Sequence, residues 1–248
     1  MKIKETTRYM FREWARPMAI YYGVVVAIEL LTRIVSYALD EDVYSASGIT
    51  TGTAFFLLVV SLNSFKSQFK MLVQNGVSRR TMVAGFLAGA LCFSGAMAVI
   101  DNAYAALLAG NLRYPSVFSA LYASAPDISS FLMSMLWYAL CNFTAMCFGY
   151  FVTTLYCRMN KPLKLLVSIG VPVTLFVLMP LAEAFVPSFR FFPWAGRTIM
   201  WLMGLSLDFS SGVAVYPSRA LGSFCVISAA LAGVSFLLVR RATIKMES

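Results

Sequence analysis

The chain contains no histidine, and that absence removes much chemistry at once. Ser–His and Cys–His nucleophilic sites, histidine-ligated zinc and histidine-ligated haem all need an imidazole. Acid–base catalysis would fall on carboxylates alone, which makes an embedded enzyme a weak reading; no catalytic residue is assigned. Acidic residues are scarce too, 11 Asp and Glu among 248 residues. No G-x-x-x-x-G-K-[ST] string occurs, so the chain does not itself hold ATP in a Walker loop. The five cysteines (Cys92, Cys141, Cys147, Cys157 and Cys225) follow no metal-ligand spacing and fall in or beside apolar runs. They argue against a disulfide framework, and no metal or cofactor is assigned to this chain. Charge of either sign is rare: 12% of residues against 60% hydrophobic, outside the range of soluble domains.

What is present is apolar sequence in long runs. Six can be read, at about 17–38, 47–65, 82–108, 131–156, 165–187 and 219–239. Each is close to the ~20 residues an α-helix needs to cross ~30 Å of hydrocarbon. Fifteen of the 20 basic residues sit in residues 1–16, 66–81, 157–164 and 240–248, while the alternate gaps hold only Arg113, Arg190 and Arg197. This positive-inside asymmetry predicts a six-helix transmembrane bundle, all-α, forming a single domain over 1–248 with both termini cytoplasmic. The net charge of +9 then reads as attraction to an anionic inner leaflet and the lipid bilayer, not to nucleic acid. The first run follows a basic segment as a signal peptide does, but its length and its internal Glu29 and Arg33 predict a retained anchor.

Lys4, Arg8, Arg12 and Arg16 recur every four residues beside Tyr9, Met10, Phe11 and Trp14. This pattern predicts an interfacial helix over 1–16, with Pro17 opening the first span. The long outer gap, 188–218, is rich in Phe and Trp (Phe189, Phe191, Phe192, Trp194 and Trp201), and its apolar piece 198–207 is too short to cross, so a re-entrant or interfacial helix is expected. Gly85 and Gly89 form G-x-x-x-G, echoed by Ala229 and Gly233, a weak sign of close helix contact. Pro172, Pro180 and Pro187 predict a kinked fifth span.

The inner loop 63–81 carries the most pattern. Phe65, Phe69, Leu72 and Val73 fall on one helical face, while Lys66, Lys70 and Gln74 form a second stripe. Asn75-Gly76 then supplies a left-handed stop, and Ser78 can cap the next helix with Val77 and Met82 as a hydrophobic staple. Arg79 and Arg80 stand in that helix's first turn, where the macrodipole disfavours positive charge, so something else must favour them.

The string from Phe69 to Thr81, with its Asn75-Gly76-Val77-Ser78-Arg79-Arg80-Thr81 core, resembles the inner loop of small permease subunits of ATP-binding-cassette type-2 exporters. The resemblance extends to the topology, although the 188–218 gap has no pattern that aligns with that family. It implies an N-terminal interfacial helix and a short cytoplasmic coupling helix between the second and third spans. It implies further a separate ATPase subunit, holding ATP and Mg, that docks on Phe65, Phe69, Lys70, Leu72, Val73, Gly76, Arg79 and Arg80. A second permease copy or a sibling permease would complete the transporter in a bacterial plasma membrane. The implied cargo is amphipathic or hydrophobic: an antimicrobial peptide, drug or lipid-like molecule.

Ionisable and polar residues at membrane depth are the other candidates. Glu29 precedes Arg33 by four residues, the favourable order for a helical ion pair. Asp101, with Asn102 beside it, and Glu183 have no cation nearby in the sequence. Each such charge costs about 2.5–3.5 kcal/mol at the bilayer centre, so these residues mark a possible translocation path. An ion-coupled secondary transporter using the carboxylates is the alternative reading, although no pair of broken helices recurs in the two halves.

Overall fold

The computed structural model describes residues 3–39, 48–109, 116–122, 127–185, 190–208 and 212–240. Hydrocarbon offers no partner to a backbone N–H or C=O, so long apolar runs must bond internally, and here they become long helices. These are α1 (Ile3–Leu39), α2 (Gly48–Gln74), α3 (Arg79–Ala109), α5 (Ile128–Arg158) and α9 (Pro217–Arg240). A broken rod, α6 (Lys161–Val173) and α7 (Met179–Phe185), flanks a π-helical turn at Thr174–Leu178. Short α4 (Val117–Tyr122), α8 (Phe191–Leu202) and an antiparallel hairpin, β1 (Leu205–Asp208) with β2 (Gly212–Val215), complete the described chain.

Five helical stretches among the described residues are long and apolar enough to cross a membrane, and α2 adds a shorter apolar piece, Gly52–Ser64. Polarity is distributed as a bilayer requires. Phe176, Val226 and Ile34 are 79%, 70% and 68% exposed, whereas Thr53, Ser61, Asp101 and Asn142 are buried. Apolar residues outside and polar groups inside mark a multi-pass membrane protein.

Helix α5 is the hub, packed on α2, α3 and α9, while α1 lies on α3 and α2. Side-chain pairs give the directions. Thr7 meets Gly85 and Tyr22 meets Asp101, so α1 and α3 run parallel. Trp14 meets Ser64 and Tyr21 meets Thr53, so α2 runs opposite to α1. Asn102 meets Ser134 and Ser94 meets Met146, so α5 opposes α3. Helix α9 runs with α5, touching it at Thr144–Phe224 near one end and converging on Arg158 at the other. The start of α1 and the end of α9 therefore share the end of the bundle that holds Arg79, Arg158 and Arg240. Since α5 finishes there and α9 starts at the far end, residues 159–216 must traverse the length of the bundle.

Two sequence expectations change. No separate interfacial helix forms over the described part of 1–16, because α1 continues through Pro17 as one helix. Thr6, Met10 and Trp14, at i, i+4 and i+8, are buried, and Gly85 and Gly89 of α3 receive Thr6 and Trp14. The basic stripe Lys4, Arg8, Arg12 and Arg16 lies on the exposed side of this packed rod. Nor is there a separate coupling helix, since α2 runs unbroken to Gln74. Leu57, Ser61, Ser64, Gln68 and Leu72 are all buried, a single seam that leaves no reason to break.

The glycines of the third span are used inside the chain, whereas Ala229 and Gly233 lie on an exposed face of α9. The irregular fifth span is present as the π turn between Pro172 and Pro180, and no residue of α6, the turn or α7 is buried. In the outer segment, α8 covers Phe191–Leu202 but β1 replaces helix from Leu205 onward. Gly204 makes the change of direction at φ +72°, and its carbonyl accepts the Tyr216 N–H at 2.8 Å, tying the hairpin to α9.

Candidate functional site

At the basic end, the α2–α3 turn is closed by local chemistry. Gly76 takes φ +68°, its N–H donates to the Val73 carbonyl at 3.0 Å, and the Val77 N–H donates to the Leu72 carbonyl at 3.0 Å. This is a Schellman motif, completed by apolar burial of Leu72 and Val77 in one core. Ser78 Oγ accepts the Thr81 N–H at 3.2 Å, capping α3, and Val77 and Met82 are buried together as the staple predicted.

Arg79 finds its reason across the bundle. Its guanidinium donates to the carbonyls of Val239 at 3.2 Å and Arg240 at 3.1 Å, the open end of α9. A cation misplaced at the start of one helix is well placed at the end of another, where the dipole is negative. Residues 79 and 239 are too far apart in sequence for any periodicity to show this.

The apolar face proposed for docking is already occupied. Leu72 is fully buried, and Phe69 and Val73 pack against the same core. Gln68 is buried with them and donates to Glu13 of α1 at 3.0 Å. The side chains of Phe65, Lys66 and Lys70 lie outside the described residues. What faces outward is the turn itself: Gln74, Asn75, Gly76, Ser78 and Arg80.

The second candidate lies in the other half of the bundle. Asp101 is 1% exposed, and one carboxylate oxygen accepts the Tyr22 hydroxyl at 2.7 Å. Its Oδ2 is buried with no hydrogen-bond partner among the described residues. Tyr21 and Thr53 share a hydrogen bond at 3.2 Å beside it, and the rings of Tyr21 and Tyr22 lie 5.3 Å apart. Asn102 faces the other way, accepting the Ser134 hydroxyl at 2.7 Å and donating to the Ala98 carbonyl. Asn142, on α5, is buried with both amide atoms unpartnered among the described residues.

The remaining predicted residues are placed as follows. Glu183 accepts the Phe192 N–H, holding the start of α8 against α7. It therefore sits at an anion-favouring helix N-terminus. Glu29 is buried on α1, and the Arg33 side chain, with the ion pair expected of it, lies outside the described residues. Sequence reading missed Tyr22, Thr53 and Ser134, whose partners are on other helices.

The geometry separates folding from charge at Asp101. Asp101→Asn keeps the shape and an oxygen for Tyr22, so insertion and thermal stability should stay near wild type. A large fall in thermal stability in this variant would show that the charge itself holds the Tyr22 contact.

Comparison with models of known protein families, with curated proteins and with solved structures finds no match in any of the three.

Proposed function

We propose that the chain is the membrane-spanning permease subunit of an ATP-binding-cassette exporter of the type-2 kind. In this reading α1, α2, α3, α5, the α6–α7 rod and α9 are its six spans, and both termini face the cytoplasm of a bacterial cell. A separate ATPase subunit holds ATP and Mg, and a second or sibling permease pairs with this chain. The cargo is amphipathic or hydrophobic and moves outward. The observation that supports this best is the hydrogen-bonded turn Gln74–Arg80 at the basic end, most of it exposed, whose sequence resembles the inner-loop string of such permeases.

The proposed docking surface is accordingly the tip of the turn, with Arg80 as its exposed charge. Leu72 and its neighbours act by holding that tip against the core. Arg79 extends the path to α9, so a push on the turn reaches a second span through two hydrogen bonds. Arg80→Glu reverses a charge on an exposed side chain and should leave folding intact while abolishing ATPase docking. Gly76→Val places a β-branched residue at a positive φ and should cost about 1–2 kcal/mol locally and distort the tip. Transport-coupled ATP hydrolysis should fall in both; unchanged hydrolysis in both would remove the turn from coupling. The half-satisfied Asp101 is the observation that favours an ion-coupled secondary transporter as the second reading.

A further inference from the structure

At the same basic end, α5 and α9 finish side by side and leave an open cavity of about 290 Å³ between them. Arg158, Arg240, Val234, Leu237 and Leu238 line it. Arg158 and Arg240 are each in the last turn of their helix. Two parallel helices ending together bring two negative dipole ends close, which favours cations there. That demand is already met on α9, because Arg79 holds the Val239 and Arg240 carbonyls. Arg158 and Arg240 are exposed and line the cavity, and among the described residues no carboxylate pairs with either.

The remaining wall is aliphatic and faces outward, with Val234 45% and Leu237 60% exposed. A site with two forked cations above an aliphatic groove matches one class of molecule in its surroundings. A phosphodiester accepts paired N–H bonds from guanidinium, and an acyl chain covers the leucines. The volume suits a headgroup and the start of a chain, since whole small molecules need ~300–1,000 Å³. Charge distribution assigns this end to the cytoplasmic side, where the leaflet is rich in anionic lipid.

We propose that the Arg158–Arg240 cavity is a binding site for an anionic phospholipid of the inner leaflet. The headgroup phosphate lies between the two guanidiniums, and the acyl chain runs along Val234, Leu237 and Leu238. The site rests on the membrane reading and on the inside-facing orientation of this end that the basic residues indicate, and it stands whether or not the chain is an exporter.

Native mass spectrometry of the purified full-length protein, delipidated in detergent and titrated with phosphatidylglycerol or phosphatidylcholine, tests this. Phosphatidylglycerol should be retained at much lower lipid concentration and should raise the thermal midpoint, which phosphatidylcholine should leave unmoved. Arg158→Gln and Arg240→Gln should each weaken phosphatidylglycerol binding roughly tenfold, the scale of one charge-assisted hydrogen-bonded contact. Arg158→Lys should fall between, and Arg80→Gln, at the same end but outside the cavity, should bind as wild type. Glycerol 3-phosphate alone should compete poorly, because it has no chain for the aliphatic wall. Equal retention of the two lipids would overturn the site. So would a loss in Arg80→Gln as large as in Arg158→Gln, or full competition by glycerol 3-phosphate.

Discussion

Gly149→Val will leave the chain able to insert but will prevent α2 and α5 from closing on each other. A Cβ at position 149 would lie 2.7 Å from the Leu58 carbonyl oxygen and 2.9 Å from the Ser61 Cβ. The first of these is backbone, so no rotamer change relieves it. The close approach also permits two flanking bonds, Ser61 Oγ to the Met146 carbonyl at 2.7 Å and Thr153 Oγ1 to the Leu62 carbonyl at 3.0 Å. Overpacking costs about 1–3 kcal/mol and each interhelical bond in a membrane roughly 0.6 kcal/mol on average, so the sum is about 2–4 kcal/mol. Because α5 is the hub, the loss spreads to α3 and α9. Thermal unfolding in detergent should show a large fall for valine and a smaller one for alanine. Wild-type stability in Gly149→Val would mean that these two helices do not meet here.

Trp14→Ala should be nearly as damaging. The indole is 1% exposed, lies 5.7 Å from the Phe86 ring and 5.6 Å from the Phe93 ring, and covers Gly89. Its Nε1 donates to Ser64 Oγ at 2.9 Å. Emptying such a position costs about 3–5 kcal/mol, whereas Trp14→Phe should cost only about 1 kcal/mol for the lost hydrogen bond. A tryptophan lying loosely among headgroups would show neither effect. The pair of variants therefore decides whether the first half of α1 belongs to the bundle.

These two residues also show where the sequence was readable. Apolar runs and alternating basic gaps were enough to place five of the six predicted spans on helices long enough to cross, because length and charge are local properties. The turn at Asn75–Gly76 and the Ser78 cap were equally legible, since they depend on residue type within five positions. The behaviour of residues 3–16 was not. A basic stripe beside aromatics fits a helix on a surface or one packed by its other face, and only Gly85 and Gly89 decide between them. The apolar face at Phe69, Leu72 and Val73 was legible as a face, but periodicity does not say what covers it, and here the core covers Leu72 fully and its neighbours in part. Asp101 stood out because charge at membrane depth is costly, yet Tyr22, which satisfies half of it, lies on another helix. Arg79 was marked as misplaced, and its resolution at the end of α9 required the fold.

In the proposed reading this chain is a permease whose motor is a different polypeptide meeting it at the turn Gln74–Arg80. The most direct measurement is ATP hydrolysis by the affinity-tagged chain, purified from its native membranes in mild detergent and compared with Arg80→Glu at equal yield and thermal stability. The account predicts vanadate-sensitive hydrolysis that co-elutes with the wild-type chain and is lost with Arg80→Glu. A folded, lipid-bound wild-type protein that carries no ATPase, or one whose ATPase is indifferent to Arg80→Glu, would contradict it.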